Sequence, residues 1–440
     1  MFKPLYYLGC KASFSQPIVE AIDELAADDG RVCDLFAGSG AIGARLAPRR
    51  DVTTVDVQEY SRVICSAQLS PAVMSVADAH AWADSARASD VHQSMSWCFA
   101  PVVDFEKEAI ASALAGSFDD LIALLEAVPI VIPDTGDMPA ALANARSKVR
   151  RRLKASGLNL RDSTVTSYFG GIYFSFQQSI FLDAALAQAN SASGELRDTL
   201  LAATLSCASS IVNTVGKQFA QPLRPREKTG SVKKGLGSVV HRDRVVDASL
   251  TYEEWLVTYS ELKKSDHNHR CLRMDCLDAL RQYGSEFSIV YADPPYTRDH
   301  YSRFYHVLET MCLRDAPQIA VVKKKGVTGP SRGLYRKDRY QSPFCIRSEA
   351  PRALSELLTA TSGHNVPVVL SYSPHEAGDG THPRVMSARD IVAVAKQHYR
   401  RVSVDLLVGS THNKLNRSDL GLVQRQHAEM VVKCRGARHG

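Results

Sequence analysis

The chain lacks any run of apolar residues long enough to cross a bilayer, which takes about 20 in a row. Its opening residues, MFKPLYYLGC, contain no apolar signal segment and no cleavage site. Together these absences predict a cytoplasmic protein with no membrane attachment. The ten cysteines form no CxxC pair and no Cys/His cluster at zinc spacing, so neither a bound metal nor a disulfide framework is expected. There is no internal repeat and no recognised DNA-binding module. With 45% hydrophobic and 23% charged residues, a disordered or fibrous chain is excluded. At 440 residues, two or three domains fit, as does one large domain with an insertion.

A net charge of +6 is too small to imply a polyanionic partner by itself, but the charge is unevenly placed. Lys217 to Arg244 holds eight Lys/Arg against two acids. RSKVRRRLK covers Arg146 to Lys154, and KKK covers Lys323 to Lys325. Each run alone reads as solvated surface; several runs beside a catalytic motif read as contacts to a phosphate backbone.

Residues 31–43, RVCDLFAGSGAIG, combine a short apolar strand, Asp34, a loop of small residues and the start of a helical pattern. Glycines at 38, 40 and 43 permit a tight turn and close approach of a ligand to the backbone. They also spell the dinucleotide pattern GxGxxG. A second apolar strand, DVTTVDV, ends near Asp56, where a ribose-binding acid is expected. A nicotinamide or flavin cofactor and S-adenosylmethionine therefore compete at this point. The acid before the glycines and the aromatic Phe36 within them favour S-adenosylmethionine, because a carboxylate suits its α-amino group and repels a pyrophosphate.

Residues 291–301, YADPPYTRDHY, end another apolar run on a charge, two prolines and a ring. A dehydrogenase has no use for such a sequence, and the chain offers no hydride-handling site. DLFAGSGAIG together with YADPPY resembles the Dam-like N6-adenine DNA methyltransferases. YYLGCKASF, Tyr6 to Phe14, is similar to that family's N-terminal cofactor motif, with Cys10 where the family has glycine or serine. The strand "CLRMD" ending at Asp275, PVVLSYS (367–373) and EMVVKC (429–434) match further strands of its core.

The resemblance implies an α/β fold, a Rossmann-like S-adenosylmethionine methyltransferase sheet with an inserted, mainly helical target-recognition domain. Residues 1–85 and 266–440 would form the catalytic domain and 86–265 the DNA-binding insertion. Tyr7, Lys11, Asp34, Phe36, Gly38, Gly40, Asp56, Asp275 and Asp293 would bind the cofactor. Asp293, Pro294, Pro295 and Tyr296 would carry catalysis. Double-stranded DNA is the implied substrate, within a restriction-modification or defence system that supplies a restriction partner. Bland readings stand beside these: Asp275 as the cap of the helix LDALRQY, Asp56 as a helix cap, Asp34 as a turn acid, Lys11 as a surface lysine and 293–296 as a strand-to-loop turn. N4-cytosine or RNA adenine methylation is the nearest rival, and a non-catalytic DNA-binding subunit is the rival of another class.

The chemistry accounts for the residue types. The lone pair of an adenine amino group is delocalised into the ring, and acceptors for both of its N–H groups free that lone pair for attack. Asp293 supplies one acceptor and the Pro294 carbonyl the other, in a backbone stiffened by two prolines. Tyr296 offers a face for the base. A base in a duplex must first be flipped out, at about a few kcal/mol. Basic surface and the aromatics Tyr301, Phe304 and Tyr305 are the groups expected to offset this, although one shared helical face would also suit core packing for those three rings.

Between residues 100 and 215 the apolar spacing predicts helices, in EKEAIASALAGSF, DDLIALLEAV, PAALANARSKVRRRL, QQSIFLDAALAQA and LRDTLLAATLSCASSIVNTV. TGSVKKGLGS (229–238) and the basic stretch 323–344 are expected as loops.

Overall fold

The computed structural model describes residues 2–26, 29–134, 138–298, 300–324, 327–374, 384–407 and 429–438. Asp299 of the DPPY segment, Lys325 of the third basic run and Gly326 of the stretch 323–344 lie outside them. The chain divides into two compact units, one of residues 1–6, 72–262 and 303–339, the other of residues 7–71, 263–302 and 340–440.

The second unit is α/β, built on a mostly parallel seven-stranded sheet. Its strands are β1 (Val32–Leu35), β2 (Val52–Asp56), β3 (Arg270–Arg273), β4 (Ile289–Ala292), β5 (Val368–Tyr372), β6 (Tyr399–Leu407) and β7 (Glu429–Ala437). They lie in the order β3-β2-β1-β4-β5-β7-β6. The first five are parallel, and β7 runs antiparallel to both β5 and β6. Such an order is compatible with a Rossmann-like fold, whose dinucleotide-binding form runs 3-2-1-4-5-6.

Both sheet faces are covered, which is why the strands read as continuous apolar runs. Alternate residues feed two cores. Val32, Ile289, Tyr291, Val369 and Val431 pack with Ile18 and Ile22 of α1 (Ser15–Leu25) and Leu46 of α2 (Ala41–Leu46). Cys33, Leu35, Val290, Ala292, Val368 and Val432 pack with Leu280, Leu357 and Ile391 from helices Cys276–Tyr283, Ala350–Gly363 and Ala388–His398.

The other unit is helical. The predicted segments fall in helices Asp90–Leu114, Asp119–Glu126, Ala140–Ser156, Phe176–Ser191 and Gly194–Ile211. Phe176–Ser191 starts where Ser175 and Gln178 cap each other's backbone N–H, a pairing their three-residue spacing permits. Among the described residues, no helix is long and apolar enough to cross a membrane.

Three expectations from the sequence are corrected. Residues 229–238 are not one loop: Arg226 pairs with Val232 across a tight hairpin, and a helix runs from Leu236 to Arg244. Gly235, at φ +72°, turns the chain into that helix, and Leu236 and Val240 bury one turn apart on its inner face. The stretch 323–344 is not one loop but contains most of an antiparallel ribbon, Val321–Lys324 against Val327–Pro330. Tyr301, Phe304 and Tyr305 do not share a helical face, because the helix stops at Phe304 and Tyr305 takes φ −126° before His306–Leu313 begins. Tyr305 is a core residue.

Candidate active site

The order of the sheet reverses between β1 and β4, and ligands of open α/β sheets bind at the carboxyl ends of strands at such a point. Leu35 pairs with Ala292, so the residues that follow, Phe36 and Asp293, leave the sheet side by side. A cavity opens there. Tyr7, Lys11, Asp34, Phe36, Asp56, Asp275, Asp293, Pro294, Pro295 and Tyr296 all line it. Residues 250 or more apart in the chain therefore meet in one place.

Gly38 and Gly40 shape the wall rather than line it. Gly38 has φ +54°, and a Cβ there would come within 2.5 Å of the Tyr7 hydroxyl. Gly40, at φ +75°, leads into α2. Gly43 packs close to β2, where a Cβ would lie 2.9 Å from Thr54 Cγ2. Asp56 organises the same loop, because Oδ2 accepts from the Gly38 N–H at 3.1 Å and Oδ1 from the Gln58 N–H at 2.9 Å. Gln58 opens α3 (Glu59–Leu69). Asp34 accepts from the Gly43 N–H at 3.1 Å. Burial above all, opposed by the Gly43 bond and aided by the charges of Asp293 and Asp56, leaves its carboxyl pushed up to about 8.

Asp275 does what its bland reading expects and also lines the cavity. Its Oδ1 accepts from the Leu277 N–H at 2.9 Å, which caps helix Cys276–Tyr283, and its Oδ2 accepts from the Tyr340 hydroxyl at 3.2 Å. Phe36 stands edge-on to Phe344, with centroids 5.2 Å apart.

Lys11 is not a surface lysine. It is buried, with Nζ 3.1 Å from Asp293 Oδ1 and 3.2 Å from Glu429 Oε2. Burial works against its charge, but the two carboxylates outweigh it and hold the ammonium well above its usual range. One ammonium cannot offset two buried acids, so burial raises Asp293 and pushes Glu429 up to about 7. Ser371 donates to Asp293 Oδ1 at 3.0 Å and lies 2.8 Å from the Tyr291 hydroxyl. Among the described residues, Asp293 Oδ2 and Glu429 Oε1 carry no hydrogen bond.

Sequence reasoning missed Glu429. It heads β7, and only an antiparallel strand brings its first residue to the rim where the parallel strands end. An acid opening the run EMVVKC was the available signal. Tyr340 and Ser371 were missed too, and neither carries a signal in its local sequence.

The Tyr296 ring is engaged on several sides. Lys11 Nζ lies 5.0 Å and the Arg384 guanidinium carbon 4.9 Å from its centroid, with the Tyr372 ring at 5.1 Å. A base stacked on this ring would take the place of one of these groups.

The donor set suits a ligand bearing positive charge and hydroxyls. Four carboxylates line the cavity, while its ammonium is already paired with two acids. Ser302 Oγ and Ser342 Oγ, on lining residues, are buried without a partner among the described residues. No group of three or more His, Cys, Asp or Glu residues is arranged for a metal among the described residues. The chain matches no known protein-family model and no curated protein.

Proposed function

We propose that the protein is an S-adenosylmethionine-dependent methyltransferase that methylates the N6 amino group of adenine in DNA, as part of a restriction or defence system. The observation that carries the reading is the meeting, in one cavity, of the glycine loop after β1 with the Asp-Pro-Pro-Tyr end of β4 and Lys11. The excess of carboxylates favours a cationic cofactor over a pyrophosphate-bearing one.

Bound S-adenosylmethionine would supply the electrophilic methyl group. Tyr7, Phe36 and the loop at Gly38 would hold its methionine end, and Asp34 would face its amino group. Asp56 would accept from the ribose hydroxyls with the lone pairs its two backbone bonds leave. Asp275, steadied by Tyr340, would lie toward the adenine ring.

For the target base, Asp293 keeps Oδ1 on Lys11 and Ser371, which fixes the carboxylate and leaves Oδ2 as acceptor for one amino N–H. The Pro294 carbonyl accepts the other. Positive charge that develops on nitrogen during transfer then falls beside a preorganised carboxylate. Lys11 holds Asp293 in its acceptor form, and Glu429 keeps Lys11 charged.

Expression in a methylation-free host, followed by modification-sensitive long-read sequencing, tests the proposal. Adenine methylation at a defined motif is expected. Asp293→Ala should lower kcat about 10²–10⁴-fold with cofactor affinity kept. Wild-type protein that binds S-adenosylmethionine but modifies neither DNA nor RNA would overturn the reading. Full activity of Asp293→Ala would remove the mechanism.

A further inference from the structure

Two basic segments more than 80 residues apart are tied together within the helical unit. The Tyr173 hydroxyl lies between the Phe219 carbonyl at 2.8 Å and the Gly333 carbonyl at 2.9 Å, and its one proton is shared between them. The Tyr335 hydroxyl donates to the Ala220 carbonyl, and Arg332 to the Leu223 carbonyl at 3.3 Å. Gly333 is required at this seam, since a Cβ there would lie 2.4 Å from the Tyr335 ring and 2.8 Å from the Ala220 carbonyl oxygen. Each tied segment adjoins a hairpin. Just beyond Leu223 is the tight hairpin in which Arg226 pairs with Val232. Just before Arg332 is the ribbon Val321–Lys324 against Val327–Pro330.

Described side chains of the ribbon are exposed on both faces. Val321 and Val322 point to opposite sides of a strand, yet they are 64% and 48% exposed, and Lys323 is exposed as well. A lone two-stranded ribbon is marginal in water, and exposed β-branched residues add nothing to it there. Both faces therefore await a partner. The charge says which kind: Arg226, Lys228, Lys234, Lys323, Arg332 and Lys337 are all exposed, against Glu227 and Asp338.

We infer that the two hairpins form one surface for duplex DNA, with the paired strands Val321–Lys324 and Val327–Pro330 entering the major groove and the 225–233 hairpin lying on the phosphates. The inference rests on the proposed DNA substrate. Size selects the groove. Two strands about 4.8 Å apart plus their side chains fill about 10–12 Å, which matches the roughly 12 Å major groove and not the roughly 6 Å minor one. Val321 and Val322 are suited to thymine methyl groups, and Lys323 to phosphate or guanine. The narrow major groove of duplex RNA admits no such ribbon.

The test is binding of the full chain to random duplex DNA and duplex RNA across a salt series. It compares wild type with R226E/K228E/K234E and with K323E/K337E, using thermal melting and calorimetric S-adenosylmethionine binding as folding controls. Each variant should bind duplex DNA at least about tenfold more weakly, with the log–log salt slope reduced by roughly 0.9 for each phosphate the variant no longer neutralises. Wild type should prefer duplex DNA to duplex RNA. V321S/V322S should change which DNA sequences are methylated more than it changes affinity for random duplex. Equal affinity and slope in wild type and charge variants would overturn the inference, as would wild type that ignores duplex DNA or prefers duplex RNA. A protein that binds DNA through this surface but transfers no methyl group would keep the surface and lose the methyltransferase reading. Methylation with an unchanged KM for DNA in both charge variants would do the reverse.

Discussion

In the sheet unit, four carboxylates gather around one cavity, and the lysine among them is buried between two acids. In the helical unit, six Lys/Arg in and beside two hairpins are exposed, with two acids nearby. A buried charge is tolerated only through fixed partners, so each group in the cavity constrains its neighbours. An exposed charge needs no partner and adds little to stability, so it remains available to a ligand. The same residue type therefore does different work in the two places, and Lys11 and Lys323 are the cleanest pair on which to test this.

The largest expected effect comes from Lys11→Met. Removing the ammonium strands Asp293 and Glu429 as unpaired buried acids, which should cost about 3–5 kcal/mol. Lys323→Met should stay within about 0.5 kcal/mol. Urea denaturation of the two variants side by side measures the difference, and equal midpoints would erase the contrast between the units.

Next is a dependence on pH. In the folded chain Asp34 is pushed up to about 8 and Glu429 to about 7, both by burial. An unfolded carboxyl releases its proton near pH 4. Across that window these two groups bind more protons in the folded chain than in the unfolded one, so the stability they contribute is full below about pH 4 and is lost as pH rises toward 8. Asp34→Asn should flatten the profile, since the amide oxygen can still accept from Gly43. An unchanged slope in chemical denaturation at pH 5, 6, 7 and 8 would show that Asp34 is already ionised. A cationic cofactor beside Asp34 should also expel its proton, visible at pH 7 as a binding heat that varies with the ionisation enthalpy of the buffer.

The smallest effect is expected from Tyr340→Phe, which removes one hydrogen bond to Asp275 at a partly exposed site. A loss of about 0.5–1 kcal/mol in cofactor affinity, with kcat unchanged, is the expected result by calorimetry and steady-state kinetics. A large fall in kcat would place Asp275 nearer the chemistry than its helix-capping bond suggests.

What the sequence makes legible follows from how local each signal is. The glycine loop, the aspartates at strand ends and the acid-Pro-Pro-Tyr turn are contiguous patterns, and their residues line one cavity. Helical periodicity marks Asp119–Glu126 and Phe176–Ser191 because one turn repeats every few residues. The Lys11–Glu429 pair spans 418 residues, and no local spacing encodes it. The ribbon reads as a loop in the sequence because its lysines and glycine outweigh the valines flanking them on both sides. The helix at Leu236 is hidden for a similar reason, behind a glycine that permits the turn into it rather than breaking it.

The order of the strands also bears on how the protein is made. β1 and β4 are neighbours in the sheet, yet roughly 250 residues are synthesised between them, which takes a ribosome about 12–50 s. During that interval β1 has no partner on its β4 side, and helices of the 72–262 part of the helical unit can form first from local contacts. β7 then inserts between β5 and β6, and only with it does Glu429 reach Lys11. Completion of the Lys11 ion pair thus waits for β7, and a chain ending before residue 429 would carry a buried lysine with one of its two counter-charges. Such incomplete chains would be unstable at the site itself, which makes the central ion pair a check on completeness as well as a support for chemistry.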